Sequence, residues 1–149
     1  MSDDDLKQSR KDNADYVLDA QVGFVLRQAQ QRHTTIFASL MIEDLTPTQW
    51  AALAKLNEIG PSSQNLLGRL TAMDAATIKG VIDRLTKRGY TTAKPDPADG
   101  RRLLVALTGE GASLYARAKP IAEQITEETL APLNERERAQ FIALLGRLA

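Results

Sequence analysis

SSQNLLGRLTAMDAATIKGVIDRLTKRGYTTAKPDPADGRRLLVAL, residues 62–107, is the stretch that decides the fold. At its centre Ile78, Val81, Ile82 and Leu85 follow the i, i+3, i+4, i+7 spacing of a helix with one buried stripe, which predicts a helix over residues 74–88. Asp74 is placed as its N-cap, accepting a hydrogen bond from an otherwise unpaired first-turn amide. Met73 and Ile78 occupy the two positions of a hydrophobic staple. Gly89, behind the cations Lys87 and Arg88, suits the residue just past the helix end. Upstream, Pro61-Ser62-Ser63 opens a shorter helix that either serine can cap, with Leu66, Leu67 and Leu70 as its apolar stripe. Thr71-Ala72-Met73 separates the two helices by the length of a helix-turn-helix connection, and Gly68 faces the second helix and allows close packing. Downstream, residues 90–94 and 102–107 read as two short strands around the turn-rich Pro95-Asp96-Pro97-Ala98-Asp99-Gly100-Arg101. Helix, turn, helix and a hairpin with a basic tip make a mainly α winged helix-turn-helix.

The face of the 74–88 helix opposite its stripe carries Ala76, Thr77, Lys79, Gly80, Arg84 and Lys87. A glycine inside a helix costs about 1 kcal/mol relative to alanine, so Gly80 suggests that something comes close there. A helix lying in the DNA major groove needs short side chains where base edges approach, and hydroxyls and cations where phosphates pass. An ordinary solvated face has the same composition, and the location of charge separates the two. The whole chain is neutral, yet residues 62–108 carry eight cations against four anions, so the remainder holds a matching negative excess. That is the polarity of a DNA-facing module on an acidic scaffold.

The segments LTPTQWAALAKL (45–56), MDAATIKGVIDRLTKRGY (73–90) and DPADGRRLLVALTGEG (96–111) resemble the corresponding blocks of the MarR family of bacterial transcription regulators. The wing signature Asp99-Gly100-Arg101, followed by alternating apolar residues and Leu107-Thr108, is the most specific of them. The likeness covers nearly the whole chain beyond the first dozen residues. It implies a recognition helix in the major groove using Ala76, Thr77, Lys79 and Gly80, with Arg101 in the minor groove and Asp99 orienting that arginine. Arg84 is expected on a phosphate, and Ser63 and Gln64 at the start of the preceding helix complete the expected DNA contacts. Lys79 stands where the family usually has a small hydroxyl residue and Gly80 where an arginine is common, so the operator sequence cannot be borrowed from relatives.

At 149 residues one domain-sized unit with an appended interface is expected. The absence of cysteine excludes disulfides, thiolate metal sites and thiol-based oxidant sensing. No apolar run reaches 18 residues and the start MSDDDLKQSRKDNAD is unlike a signal peptide, so a soluble cytoplasmic protein without membrane contact is expected. Residues 1–14 read as a disordered tail. Residues 15–44 and 109–149 read as a helical dimerisation region, and residues 45–108 as the DNA-binding domain.

In the first of these regions a helix over residues 15–43, with Val22, Val25, Leu26, Ala29, Ile36, Phe37 and Leu40 on one stripe, would span on the order of 40 Å. Thr46 and Pro47 start the next helix as N-cap and first residue. Thr108 caps a helix running to about residue 130, which Pro120 should kink or divide. Asn134, with Glu137 three residues on, opens the last one. These terminal helices offer more apolar surface than the middle can cover, which predicts a homodimer. Two-fold symmetry would set its reading heads one DNA turn apart, about 34 to 36 Å, on an inverted-repeat operator.

His33, the one histidine, is either a hydrogen-bonded structural residue or a ligand contact; no second histidine or cysteine can join it in a metal site. Arg27 and Gln30 lie within two turns of it. Trp50 is either core or the wall of an aromatic pocket. Arg27, His33 and Trp50 are the candidate effector contacts, and the resemblance suggests small aromatic acids or phenols. The expected function is therefore a dimeric repressor released from double-stranded DNA by a small molecule, with no cofactor and no metal. The alternative is a winged helix used for protein contact, which would need an apolar outer face on the 74–88 helix. An enzyme is disfavoured: GxxxxGK and GxGxxG motifs and cysteine are absent, and Asp96 and Asp99 are first of all turn formers.

Overall fold

The computed structural model describes residues 2–6 and 15–149, in two compact units, Met1–Thr35 and Ile36–Ala149. The order of elements is a 3₁₀ turn at Leu18–Ala20, then α1 (Val22–Leu40), α2 (Pro47–Ile59), α3 (Gln64–Leu70), α4 (Ala75–Lys87), β1 (Thr91–Pro95), β2 (Leu103–Leu107), α5 (Gly109–Thr129) and α6 (Glu135–Gly146). This is the mainly helical winged helix-turn-helix with terminal helices that the sequence predicts. Of the tail expected over residues 1–14, residues 3–6 form a helical turn, while Met1 and residues 7–14 lie outside the described residues.

Local chemistry sets most boundaries. Thr46 and Gln49 form a capping box on α2 with Pro47 in its first turn, and Asn134 and Glu137 do the same for α6. Ser63, not Ser62, caps α3, accepting from the Leu66 amide at 3.3 Å. At the end of α4, Gly89 takes a φ of 85° while its amide donates to Thr86 and the Tyr90 amide donates to Leu85, the paired bonds of a Schellman ending.

Three expectations need correction. The first long helix starts at Val22, not Asp15, because Gln21 is extended and its amide and side chain turn back to the carbonyls of Leu18 and Val17. At 19 residues it spans about 28 Å, not 40 Å. Glu43 and Asp44, with φ of 55° and 51°, stop helical propagation after it. The apolar side of α3 is Leu67 with Gly68, whereas Leu66 and Leu70 are exposed. Gly68 causes this: a Cβ there would stand 3.0 Å from Ile78 Cγ2 and 3.2 Å from the Met73 carbonyl oxygen, so α3 meets α4 on its glycine side. Pro120 does not divide its helix, and α5 runs through it.

The core of the second unit gathers Leu53 and Leu56 of α2, Leu67, the predicted α4 stripe, Val105 of β2 and Leu114 and Ala118 of α5. The two strands pair antiparallel from Thr91↔Leu107 to Pro95↔Leu103. The buried Ser62 joins them as a one-residue bridge: its amide donates to the Val105 carbonyl at 3.0 Å, and its carbonyl accepts the Val105 amide in return at 2.7 Å. The wing is thereby fastened to the residue before the α3 cap. Among the described residues, no helix is long and apolar enough to cross a membrane.

Candidate nucleic-acid interface

α4 buries Ile78, Val81, Ile82 and Leu85 and so turns its other face outward. The start of that helix is fixed by Asp74, whose carboxylate accepts the Thr77 amide at 2.7 Å. The same backbone bond holds the Asp74 carboxyl below the usual carboxylate range, because it favours the charged form. Ala76, Thr77, Lys79 and Arg84 are exposed, and Gly80 is half-buried. Lys79 is not a free cation: its ammonium lies 2.7 Å from Asp83, one turn on. Both groups are well solvated, so the pair adds little stability but offsets the charge of the lysine.

The wing tip is organised by its two aspartates. The Asp96 carboxylate accepts the Ala98 amide at 2.9 Å, and the Asp99 carboxylate accepts the Arg101 amide at 3.0 Å. Asp99 therefore supports Arg101 through the backbone, while the Arg101 side chain, exposed, has no bonding partner among the described residues. Ser63 and Gln64 are half-buried at the start of α3. Gln64 lines a cleft of about 330 Å³ together with Ile82, Asp83 and Thr86 of α4 and Thr92 and Leu103 of the wing.

Arg88, counted in the sequence with the cations of this segment, is committed to the scaffold. Its guanidinium donates to the Glu43 carbonyl and lies 5.1 Å over the Tyr90 ring. Arg117 of α5 approaches the carboxylate of the same Glu43 at 3.6 Å. The cations of the 62–108 segment whose side chains have no hydrogen-bond or ion-pair partner among the described residues are Arg69, Arg84, Lys87, Lys94, Arg101 and Arg102.

The three candidate effector residues divide between the units. Arg27 lines an open groove along α1 with Gln30, Gln31, Thr34 and Thr35, and His33, half-buried, is not among the residues lining it. In the second unit Trp50 is half-buried against the core and stacks on Tyr115 of α5, ring centroids 5.4 Å apart and planes 5° from parallel. Tyr115 was not singled out in the sequence. Its one local signal is an aromatic position one residue after the buried Leu114.

Residues 43–102 match the model of the MarR family. The chain is similar to the HTH-type transcriptional repressor NicR of Pseudomonas putida, 42% identical over 138 residues that cover 92% of this chain and 87% of the relative. Among solved structures it resembles a probable transcriptional regulator from Pseudomonas aeruginosa, with a TM-score of 0.87 and 53% identity over 89% of this chain and 100% of that one. It also resembles Bordetella bronchiseptica BpsR, a protein whose DNA binding is regulated by 6-hydroxynicotinic acid, with a TM-score of 0.85 and 40% identity over 89% and 96% of the two chains.

Proposed function

The chain belongs to the MarR family of DNA-binding transcriptional regulators, and from that premise we propose that it is a homodimeric repressor that leaves an inverted-repeat operator when a small aromatic acid binds. The observation that carries this is the pairing of two prongs: the exposed Thr77, Lys79 and Arg84 of α4 around the half-buried Gly80, and Arg101, without a side-chain partner among the described residues, on a wing fastened through Ser62. α4 enters the major groove, Arg101 the minor groove, and Ser63, Gln64 and Ala76 border the first, while Asp99 holds the Arg101 backbone in place.

Dimerisation is assigned to the terminal helices, residues 15–44 and 109–149. α1 exposes Val22, Val25 and Leu26, and α6 exposes Phe141, Ile142 and Leu144, apolar groups that solvent does not stabilise. The effector class comes from two directions. BpsR answers to 6-hydroxynicotinic acid, and the stacked Trp50 and Tyr115 rings offer a flat aromatic wall. Linkage supplies the release: a ligand that prefers the dimer shape that fits DNA badly must bind the DNA-bound form more weakly.

Titrating the protein on duplex DNA over a range of salt tests the proposal. Each neutralised phosphate contributes about −0.9 to the slope of log K against log salt. A dimer using half of its two sets of six unpartnered cations therefore gives a slope of about −5. Added 6-hydroxynicotinic acid is expected to weaken operator binding. A salt-independent affinity, or a monomer in sedimentation at micromolar concentration, refutes the assignment.

A further inference from the structure

We propose that Gly80 is a seat for Arg84, and that this seating makes Arg84 a base-reading residue and Gly80 a determinant of operator specificity. The proposal rests on the DNA-binding role argued above and goes beyond it in assigning what these two residues do.

A long side chain on a helix leans toward the N-terminus and covers the turn before its own Cα. On α4 nothing obstructs this, because Gly80 leaves its place vacant. One terminal nitrogen of the Arg84 guanidinium lies 3.3 Å from where a Cβ on Gly80 would stand, and no other neighbouring group comes within 4 Å of that point. Thr77, Gly80 and Arg84 follow i, i+3, i+7 and share one line along the helix. On the adjacent line Asp83 holds the Lys79 ammonium at 2.7 Å. With the lysine offset, the guanidinium over Gly80 is the uncompensated charge in the middle turns of this face.

Position along the helix decides what such a charge meets. A recognition helix touches base edges mainly through its N-terminal residues. Folding Arg84 back over Gly80 carries its guanidinium about one turn, roughly 5.4 Å, toward that end. There its planar fork can pair with O6 and N7 of a guanine, which a compact ammonium does not imitate. A side chain already laid against the helix also loses less freedom when DNA arrives.

The test uses the full-length protein. Wild type selects duplexes from a randomised pool, and the enriched duplex and an unrelated one are then titrated at fixed salt. The variants are Gly80→Ala, Arg84→Ala, Arg84→Lys and the Gly80→Ala, Arg84→Ala pair. Arg84→Ala and Arg84→Lys are each expected to lower the preference for the enriched duplex by about tenfold or more. Gly80→Ala should fold at least as well as wild type, since alanine is the better helix residue, yet lose preference by roughly threefold or more, and should have no further effect once Arg84 is gone. Equal losses on both duplexes, full preference retained by Arg84→Lys, or additive effects of the two alanine substitutions would make Arg84 a plain phosphate contact and overturn the proposal. A wild type that enriches no duplex would instead remove the DNA-binding role itself.

Discussion

Replacing Gly111 by alanine should loosen the joint between the recognition helix and α5. A Cβ on Gly111 would stand 2.0 Å from the Tyr90 carbonyl oxygen and 3.0 Å from its carbonyl carbon. Carbon and oxygen normally approach to about 3.3 Å, so the two backbones must part by more than about 1 Å. No rotamer change can absorb this, because the obstacle is main chain. The same Tyr90 oxygen accepts the Thr108 amide at 3.1 Å, and the Thr108 hydroxyl donates to the Gly89 carbonyl at 2.6 Å while accepting the Gly111 amide at 3.0 Å. Loss of two of these three hydrogen bonds at about 1 kcal/mol each, with about 1–3 kcal/mol of overpacking and a helix-propensity gain of up to about 1 kcal/mol, leaves a loss of about 2–5 kcal/mol. For a chain of this size the melting temperature should fall by about 10 °C. Gly109→Ala is the control in the same turn, since nothing lies within 4 Å of its added carbon. Calorimetric melts of Gly111→Ala and Gly109→Ala that agree within about 2 °C would refute the reasoning.

Three further outcomes follow from local contacts. Asn134→Ala removes the side-chain oxygen that caps the Glu137 amide and leaves the Asn134 backbone bond to the Glu137 carboxylate in place, and should cost about 1 kcal/mol in urea unfolding, against no change for Arg136→Ala on the exposed side. Because the Asp74 carboxyl sits below its usual value of 3.8, its contribution to stability is complete above that value and lost as pH falls through the lower folded value. The melting difference between wild type and Asp74→Asn should therefore shrink on acidification below about pH 4, and a difference independent of pH would contradict the cap. Tyr115→Phe keeps a stacked ring beside Trp50 and should preserve the tryptophan emission maximum, whereas Tyr115→Ala, by exposing the indole to water, should shift it to the red.

Features whose partners lie within a few residues were legible in the sequence. The caps at Thr46, Asp74, Thr108 and Asn134 each bond an amide three residues on, and the α4 stripe repeats with the helical period, so spacing alone identifies them. The start of α1 is not legible in its apolar stripe, because the bonds that set it come from the amide and side chain of Gln21 to the carbonyls of Leu18 and Val17. Contacts between distant residues left no local trace. Nothing near Arg88 announces the Glu43 carbonyl, far earlier in the chain, to which its guanidinium donates. Tyr115 likewise acquires its role from Trp50, on a helix far earlier in the chain.

The two backbone bonds between Ser62 and Val105 have a mechanical consequence. They tie the middle of β2 to the residue before the α3 cap, so the place of the wing beside the helix pair is set when the chain folds rather than when it lands on a site. A gauge of fixed opening measures as well as grips. With Arg101 in the minor groove as proposed above, sequences whose minor groove is too wide, or whose grooves are spaced differently, would be rejected for their shape, even where every base facing α4 is correct.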